Sequence, residues 1–210
     1  MHLVHDASLK VRLTFDAISY RLSDGTYILS DASGVVETDQ ITVVMGPSGC
    51  GKSTLLSLLS GKITPTRGTL CLNGKPGTLR EMHKLIAFVP QDDVMLTTLT
   101  VMELLYFSAI CRLPADMGSK EINAWVHMVV DLLGLTQHRH SVIGDAHRRG
   151  LSGGQRKRVN VALELVADPS LIFLDEPTSG LDSTAALELM QCLHRLSRHG
   201  VAVCAVIHQP

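Results

Sequence analysis

Eight consecutive residues, Gly46-Pro47-Ser48-Gly49-Cys50-Gly51-Lys52-Ser53, set three glycines beside a lysine and a hydroxyl. The spacing fits G-x-x-x-x-G-K-[ST], a loop whose backbone N–H groups converge on one point. A helix N-terminus directly behind it adds positive potential, so the place suits a polyphosphate. Gly46, Gly49 and Gly51 permit the tight turn and close backbone approach. Lys52 is placed to reach the β- and γ-phosphates of ATP or GTP, and the Ser53 hydroxyl to ligate Mg2+. Two further groups carry chemistry. Leu171-Ile172-Phe173-Leu174 delivers Asp175-Glu176. Two adjacent acids there are either solvated loop residues or, paired with a phosphate loop, Asp175 on Mg2+ and Glu176 on water. Leu151-Ser152-Gly153-Gly154-Gln155 is either a flexible turn or a second anion-binding helix start, with Ser152 as an extra donor.

The elements that must position these residues are legible around them. Ile41 to Met45 is β-branched and apolar, the texture of a buried parallel strand, and Thr54 to Leu59 behind the loop reads as a helix with leucines on several faces. Val11 to Ser30 reads as strands about an Asp24-Gly25 turn, in an antiparallel sheet beside the nucleotide site. Tyr20 in it either stacks on an adenine ring or is a half-buried strand aromatic, and the pattern does not decide between them. Gly68 to Gly74 and Leu85 to Val89 are further strands, the latter ended by Pro90-Gln91.

From about residue 95 to 165 the texture is helical. Thr100 to Glu103 is a capping box opening a helix over Leu104 to Cys111. Ser119 opens another, with Ile122, Val126, Val129, Val130 and Leu133 on one face and Gly134 as its stop. The apolar surface of this insert faces either a partner or its own core. After Asp175-Glu176, Asp182 caps a helix from Ser183 to His199, and Val201 to Ile207 is a final strand ending in His208.

Composition sets bounds. A chain of 210 residues, 45% hydrophobic and 19% charged, suits a globular domain with a real core. A net charge of -1 gives no global field toward nucleic acid or anionic lipid. Cys50, Cys71, Cys111, Cys192 and Cys204 are scattered, an odd set that argues for reduced thiols in the cytosol. Cys50 is expected to react first, lying where Lys52 and the loop amides favour an anion, while the other four sit in apolar segments. His138, His140 and His147 lie among polar residues without ligand spacing and are expected to be solvated. The N-terminus has no signal-peptide pattern, and no window approaches 18 uninterrupted apolar residues.

Taken together, the motifs resemble an ATP-binding cassette (ABC) ATPase domain. The resemblance rests on Gly46–Ser53 (Walker A), Gln91 (Q-loop), Leu151–Gln155 (signature), Leu171–Glu176 (Walker B), Ser179–Asp182 (D-loop) and His208 (switch histidine), all in the family's order. Finer phrases are similar to the G subfamily of half-transporters: Val89 to Asp93, Gln155 to Val159, Pro177 to Ser183 and His208-Gln209-Pro210. The fold class expected is α/β: a P-loop NTPase core with a flanking antiparallel β-sheet and an inserted α-helical subdomain. Residues 1–94 and 166–210 would form the core and 95–165 the helical part.

The resemblance implies roles. Gly46, Pro47, Ser48, Gly49, Cys50, Gly51, Lys52, Ser53 and Thr54 would hold ATP, while Tyr20 stays open between the adenine ring and a strand position. Ser53, Gln91 and Asp175 would organise Mg2+, Glu176 would polarise the attacking water, and His208 would contact the γ-phosphate. Ser152, Gly153, Gly154, Gln155 and Asp182 would serve the ATP of a second such domain, in a head-to-tail homo- or heterodimer. A transmembrane domain fused downstream is implied, with this domain on the cytoplasmic face and no nucleic-acid partner.

Departures are Asp39-Gln40, where the family often has Gly-Glu, and an end at Pro210 just past the switch histidine, read as a fragment. Competing classes are a soluble ABC-type ATPase acting on nucleic acid or ribosomes and an importer ATPase. No heptad array separates Lys52 from Ser152, as a chromosome-type member would require, and only one cassette is present.

Overall fold

The structure is a computed structural model and describes residues 10–76, 85–145 and 150–207. Two four-stranded sheets carry it. In the first, β1 (Arg12–Arg21) pairs antiparallel with β2 (Tyr27–Glu37) on one side and β4 (Arg67–Leu72) on the other, and β4 carries the two-residue β5 (Lys75–Pro76). The second is parallel, in the order β3-β8-β7-β6, from β3 (Ile41–Met45), β6 (Ile86–Val89), β7 (Leu171–Asp175) and β8 (Ala202–Ile207). Helix α1 (Lys52–Leu59) follows β3. Helices α2 (Val101–Arg112), α3 (Ser119–Leu132) and α4 (Gly153–Leu165) lie in sequence between β6 and β7, and α5 (Ser183–Arg198) precedes β8.

β7 and β8 read as unbroken apolar runs because both faces are covered. Side chains alternate across a strand, so Leu171 and Phe173 pack with α1 and the antiparallel sheet through Leu13, Ile18, Leu56 and Leu59. Ile172 and Leu174 point the other way, into the helical core of Leu105, Val126, Val159 and Leu193. The helices are tied together as well as packed. Trp125 donates its indole N–H to the Val166 carbonyl at 3.0 Å, satisfying the polar end of a buried ring. Arg112 grips both Glu164 carboxylate oxygens, at 3.2 and 2.8 Å, and the Leu163 carbonyl at 2.8 Å, which fixes the end of α2 on α4. The capping box of α2 forms as the spacing predicts. Glu103 N–H donates to Thr100 Oγ1, and the Glu103 carboxylate accepts from Thr100 N–H at 2.8 Å.

Three expectations are corrected. The strand expected to end at Ser30 continues to Glu37, through register shifts against β1 at Phe15, Ile18 and Tyr20. β3 is parallel but half-exposed rather than buried, with Val43 39% and Met45 52% accessible, because β8 is its one neighbour in the sheet. Cys111 is exposed and Cys71 intermediate, so only Cys192 and Cys204 are shielded by the core as expected.

Candidate functional site

The phosphate loop runs from the end of β3 into α1. Gly51 stands at φ 94°, where side chains are rarely tolerated, and a Cβ there would lie 2.9 Å from the Ile28 carbonyl oxygen of β2. Glycine thus lets the antiparallel sheet close against the loop. On that strand Leu29, next to Ile28, is the cross-strand partner of Tyr20, a half-buried residue packed against the core. Lys52 is only 7% exposed. Its ammonium lies inside the loop and donates to the Gly46 carbonyl at 2.9 Å and the Pro47 carbonyl at 2.8 Å, 4.0 Å from Cys50 Sγ.

Ser48, Gly49 and Cys50 form the exposed turn between Pro47 and Gly51. Helices α2, α4 and α5 begin with a side chain or capping box over their first N–H groups, whereas α1 begins at Gly51 with no side-chain cap. Its leading amides therefore point into the loop, as an anion-binding helix start requires.

The carboxyl ends of the parallel strands gather the remaining chemistry. The Ser53 hydroxyl donates to Asp175 Oδ1 at 3.1 Å, joining residues 122 apart in sequence. A hydroxyl beside a carboxylate is a hard-oxygen pair of the kind Mg2+ takes, next to a loop suited to phosphates, so the residues present fit the metal. Next to it, Gln91 Nε2 donates to Glu176 Oε2 at 2.8 Å. Gln91, expected to organise Mg2+, is thus engaged with the candidate base. Glu176 adopts φ 48°, uncommon for a residue with a side chain and seen mainly where function or packing demands it. Its N–H is held by the Val206 carbonyl at 3.1 Å.

The signature residues form the start of α4. Ser152 Oγ accepts from Gln155 N–H at 3.3 Å, and Gln155 Oε1 accepts from Ser152 N–H at 2.9 Å. Gly154 is buried, and a Cβ on it would meet Ala185 Cβ at 2.7 Å, so the glycine permits α4 to close on the first turn of α5. That turn is capped by Asp182, whose Oδ1 accepts from Ala185 N–H at 2.8 Å. Gly153 faces Leu181. Signature and D-loop therefore form one surface, with Ser152, Gly153 and Asp182 exposed on it. The hydrogen bonds of Ser152 run to Gln155 within the same helix start.

The structure corrects the reading of His138. It is half-buried and its Nε2 lies 2.9 Å from Gln155 Nε2, so the signature glutamine rests on it, while His140 is exposed as expected. His147 and His208 lie outside the described residues. Among the described residues no group of three or more His, Cys, Asp or Glu side chains is arranged to hold a metal.

Sequence reasoning also passed over Lys157 and Asn160. Lys157 is 4% exposed and donates to Asp93 Oδ1 at 2.7 Å and to the Gln91 carbonyl at 2.7 Å, while Asn160 Nδ2 donates to Asp93 Oδ1 at 3.1 Å. The signal was available: buried Gly154, Lys157, Val161 and Leu165 follow the helical repeat, so the lysine stands on the inward stripe of α4. A buried cation demands a partner, but spacing cannot name one 64 positions away.

A family model described as ABC transporter matches residues 29–179, more than half of the chain. The chain is 44% identical over 203 residues to ABC transporter G family member 28 of Arabidopsis thaliana, covering 95% of this chain and 18% of that protein. It is 44% identical over 207 residues to the ABC-type transporter claG of Penicillium crustosum, covering 98% and 28%. It thus spans less than a third of the length of either relative. The solved structure of cbiO1 from Clostridium perfringens, part of the ABC transporter complex cbiONQ, superposes with a TM-score of 0.81 at 26% identity, over 94% of this chain and 78% of that one. By sequence, motif geometry and fold, the chain belongs to the ABC transporter family, as an ATPase domain similar to those of its G family members.

Proposed function

We propose that this chain binds MgATP at Gly46–Thr54 and hydrolyses it in a head-to-tail pair with a second domain of its kind, driving a substrate across a membrane. The observation that carries the reading is the meeting of Ser53 with Asp175 and of Gln91 with Glu176 at one end of the parallel sheet, beside Lys52. In this reading Lys52 exchanges its loop carbonyls for phosphate oxygens, and Tyr20 lies against the base. Ser53, Asp175 and Gln91 would hold Mg2+, which when bound neutralises charge on the transferring phosphoryl group. Glu176 orients the attacking water and accepts its proton, and His208 contacts the γ-phosphate. Little covalent chemistry is asked of the protein; positioning carries the reaction.

The exposed surface of Ser152, Gly153 and Asp182, with Gly154 and Gln155 behind it, supports an ATP contributed by the partner domain, so that ATP joins the pair and hydrolysis releases it. Residues 1–94 with 166–210 act as the catalytic core and 95–165 as the part that meets the membrane domain. Exposed Leu96, Phe107 and Ile110 within it supply apolar surface for that contact. Similarity to G family transporters favours transport over action on nucleic acid or ribosomes. Among the described residues no helix is long and apolar enough to cross a membrane.

Ser152→Arg tests the shared site. Loss of the α4 cap costs about 1 kcal/mol, too little to unfold a domain. ATP affinity of the monomer should stay near wild type while ATP-dependent dimerisation is abolished. ATP binding lost as badly as in Lys52→Ala would show instead that Ser152 serves its own loop.

A further inference from the structure

We propose that Lys157 is the positioning residue for Gln91, coupling the signature helix to the candidate base. The inference rests on the roles given above to Gln91 and Glu176. A lysine that is 4% exposed has given up most of its hydration, which is tolerated only when its charge is well partnered. Here the partners are two acceptors on one short segment: Asp93 Oδ1 at 2.7 Å and the Gln91 carbonyl oxygen at 2.7 Å. Asn160, one turn further along α4, holds the same Asp93 oxygen at 3.1 Å. Residues 91–93 are therefore clamped to α4 at both ends.

The Gln91 side chain in turn donates to Glu176 Oε2 at 2.8 Å. The helix that Ser152 caps thus carries Lys157, whose short contact to Gln91 leads on to Glu176. When α4 turns, the Gln91 backbone must follow it, and the amide on Glu176 moves with that backbone. The event at the surface of Ser152 is thereby felt at the carboxylate that orients water. Packing alone would not need the charge: a methionine fills the same inward position on α4 without it.

Lys157→Met, Lys157→Arg, Asp93→Asn and the Lys157→Met/Asp93→Asn pair are compared in the full-length polypeptide, with turnover counted per mole of ATP-binding sites. Misplacing a reacting group by about 1 Å costs up to about a hundredfold. Lys157→Met should therefore lower kcat at least about tenfold, with KM for ATP within about threefold of wild type. Lys157→Arg, which keeps the positive charge and N–H donors, should recover part of that loss, and the pair should be no slower than the slower single variant. Lys157→Met is the variant least prone to misfold, since Asp93 is one-quarter exposed and can turn to solvent.

Wild-type kcat in Lys157→Met, a loss carried wholly by KM, or losses that multiply in the pair would each overturn the proposal. A Glu176→Gln control separates the two levels. If it is inactive while Lys157→Met is normal, this inference fails alone. Full hydrolysis by the control brings down the catalytic reading and this inference with it.

Discussion

Replacing Gly154 by alanine adds one methyl group at the tightest helix contact near the signature. That methyl would lie 2.7 Å from Ala185 Cβ and 3.6 Å from Ala185 Cα, and neither neighbour is a flexible side-chain end. Relief requires α4 and α5 to separate. Overpacking of this kind costs about 1–3 kcal/mol, and the better helix propensity of alanine returns about 0.5–1 kcal/mol. The expected net loss is about 1 kcal/mol, taking the middle of each range. Urea unfolding should show it as a lower midpoint at an unchanged slope.

Ala185→Gly removes the opposing methyl, so the double variant should regain most of the loss, less about 0.5–1 kcal/mol for glycine in the first turn of α5. Hydrolysis by the double variant then separates the two duties of Gly154. Activity returning with stability assigns the glycine to helix packing; stability returning alone assigns it to the partner's nucleotide. Gly154→Ala as stable as wild type, or unrescued by Ala185→Gly, would refute the packing argument.

Maleimide should modify exposed Cys50 and Cys111 early, with MgATP protecting Cys50 alone; Cys192 and Cys204 should wait for unfolding, burial having pushed the Cys204 thiol up to about 12. Peptide mapping after brief labelling decides it, and equal Cys50 labelling with and without MgATP contradicts it. At α2, hydrogen bonds from Thr100 N–H and Oγ1 hold the Glu103 carboxyl below its ordinary value of 4.5. A lowered folded-state value means stability present above about pH 4.5 and lost as pH falls through the lowered value. Glu103→Gln should therefore flatten acid unfolding over that range, and an unchanged acid profile would contradict the assignment. Thr100→Ala should cost about 1 kcal/mol at neutral pH, measured by urea unfolding.

Much of the site is local chemistry and was legible in the sequence for that reason. The phosphate loop, the capping box at Thr100 and the apolar run into Asp175 each depend on residues a few positions apart, whereas the box that Ser152 forms with Gln155 was not read from the sequence. What stayed hidden depends on long-range placement. Strand order decides that Val43 and Met45 on β3 are exposed although their segment reads as buried. Helix facing decides that Cys111 is exposed although its surroundings are apolar. His138 looked like one more polar loop residue, yet the fold brings it under Gln155. Lys157 is the instructive case: its position on the inward stripe of α4 was readable, and its partners at Gln91 and Asp93 were not.

The central claim is that Glu176, held beside Gln91 and next to Asp175, orients and deprotonates the attacking water. Glu176→Gln keeps the shape and one hydrogen-bonding oxygen and removes the basic carboxylate. ATP binding and steady-state hydrolysis, measured on the same preparation of the full-length polypeptide, test this most directly. The account predicts ATP affinity near wild type and turnover lower by about a hundredfold or more. Turnover near wild type, with ATP bound normally, would contradict it.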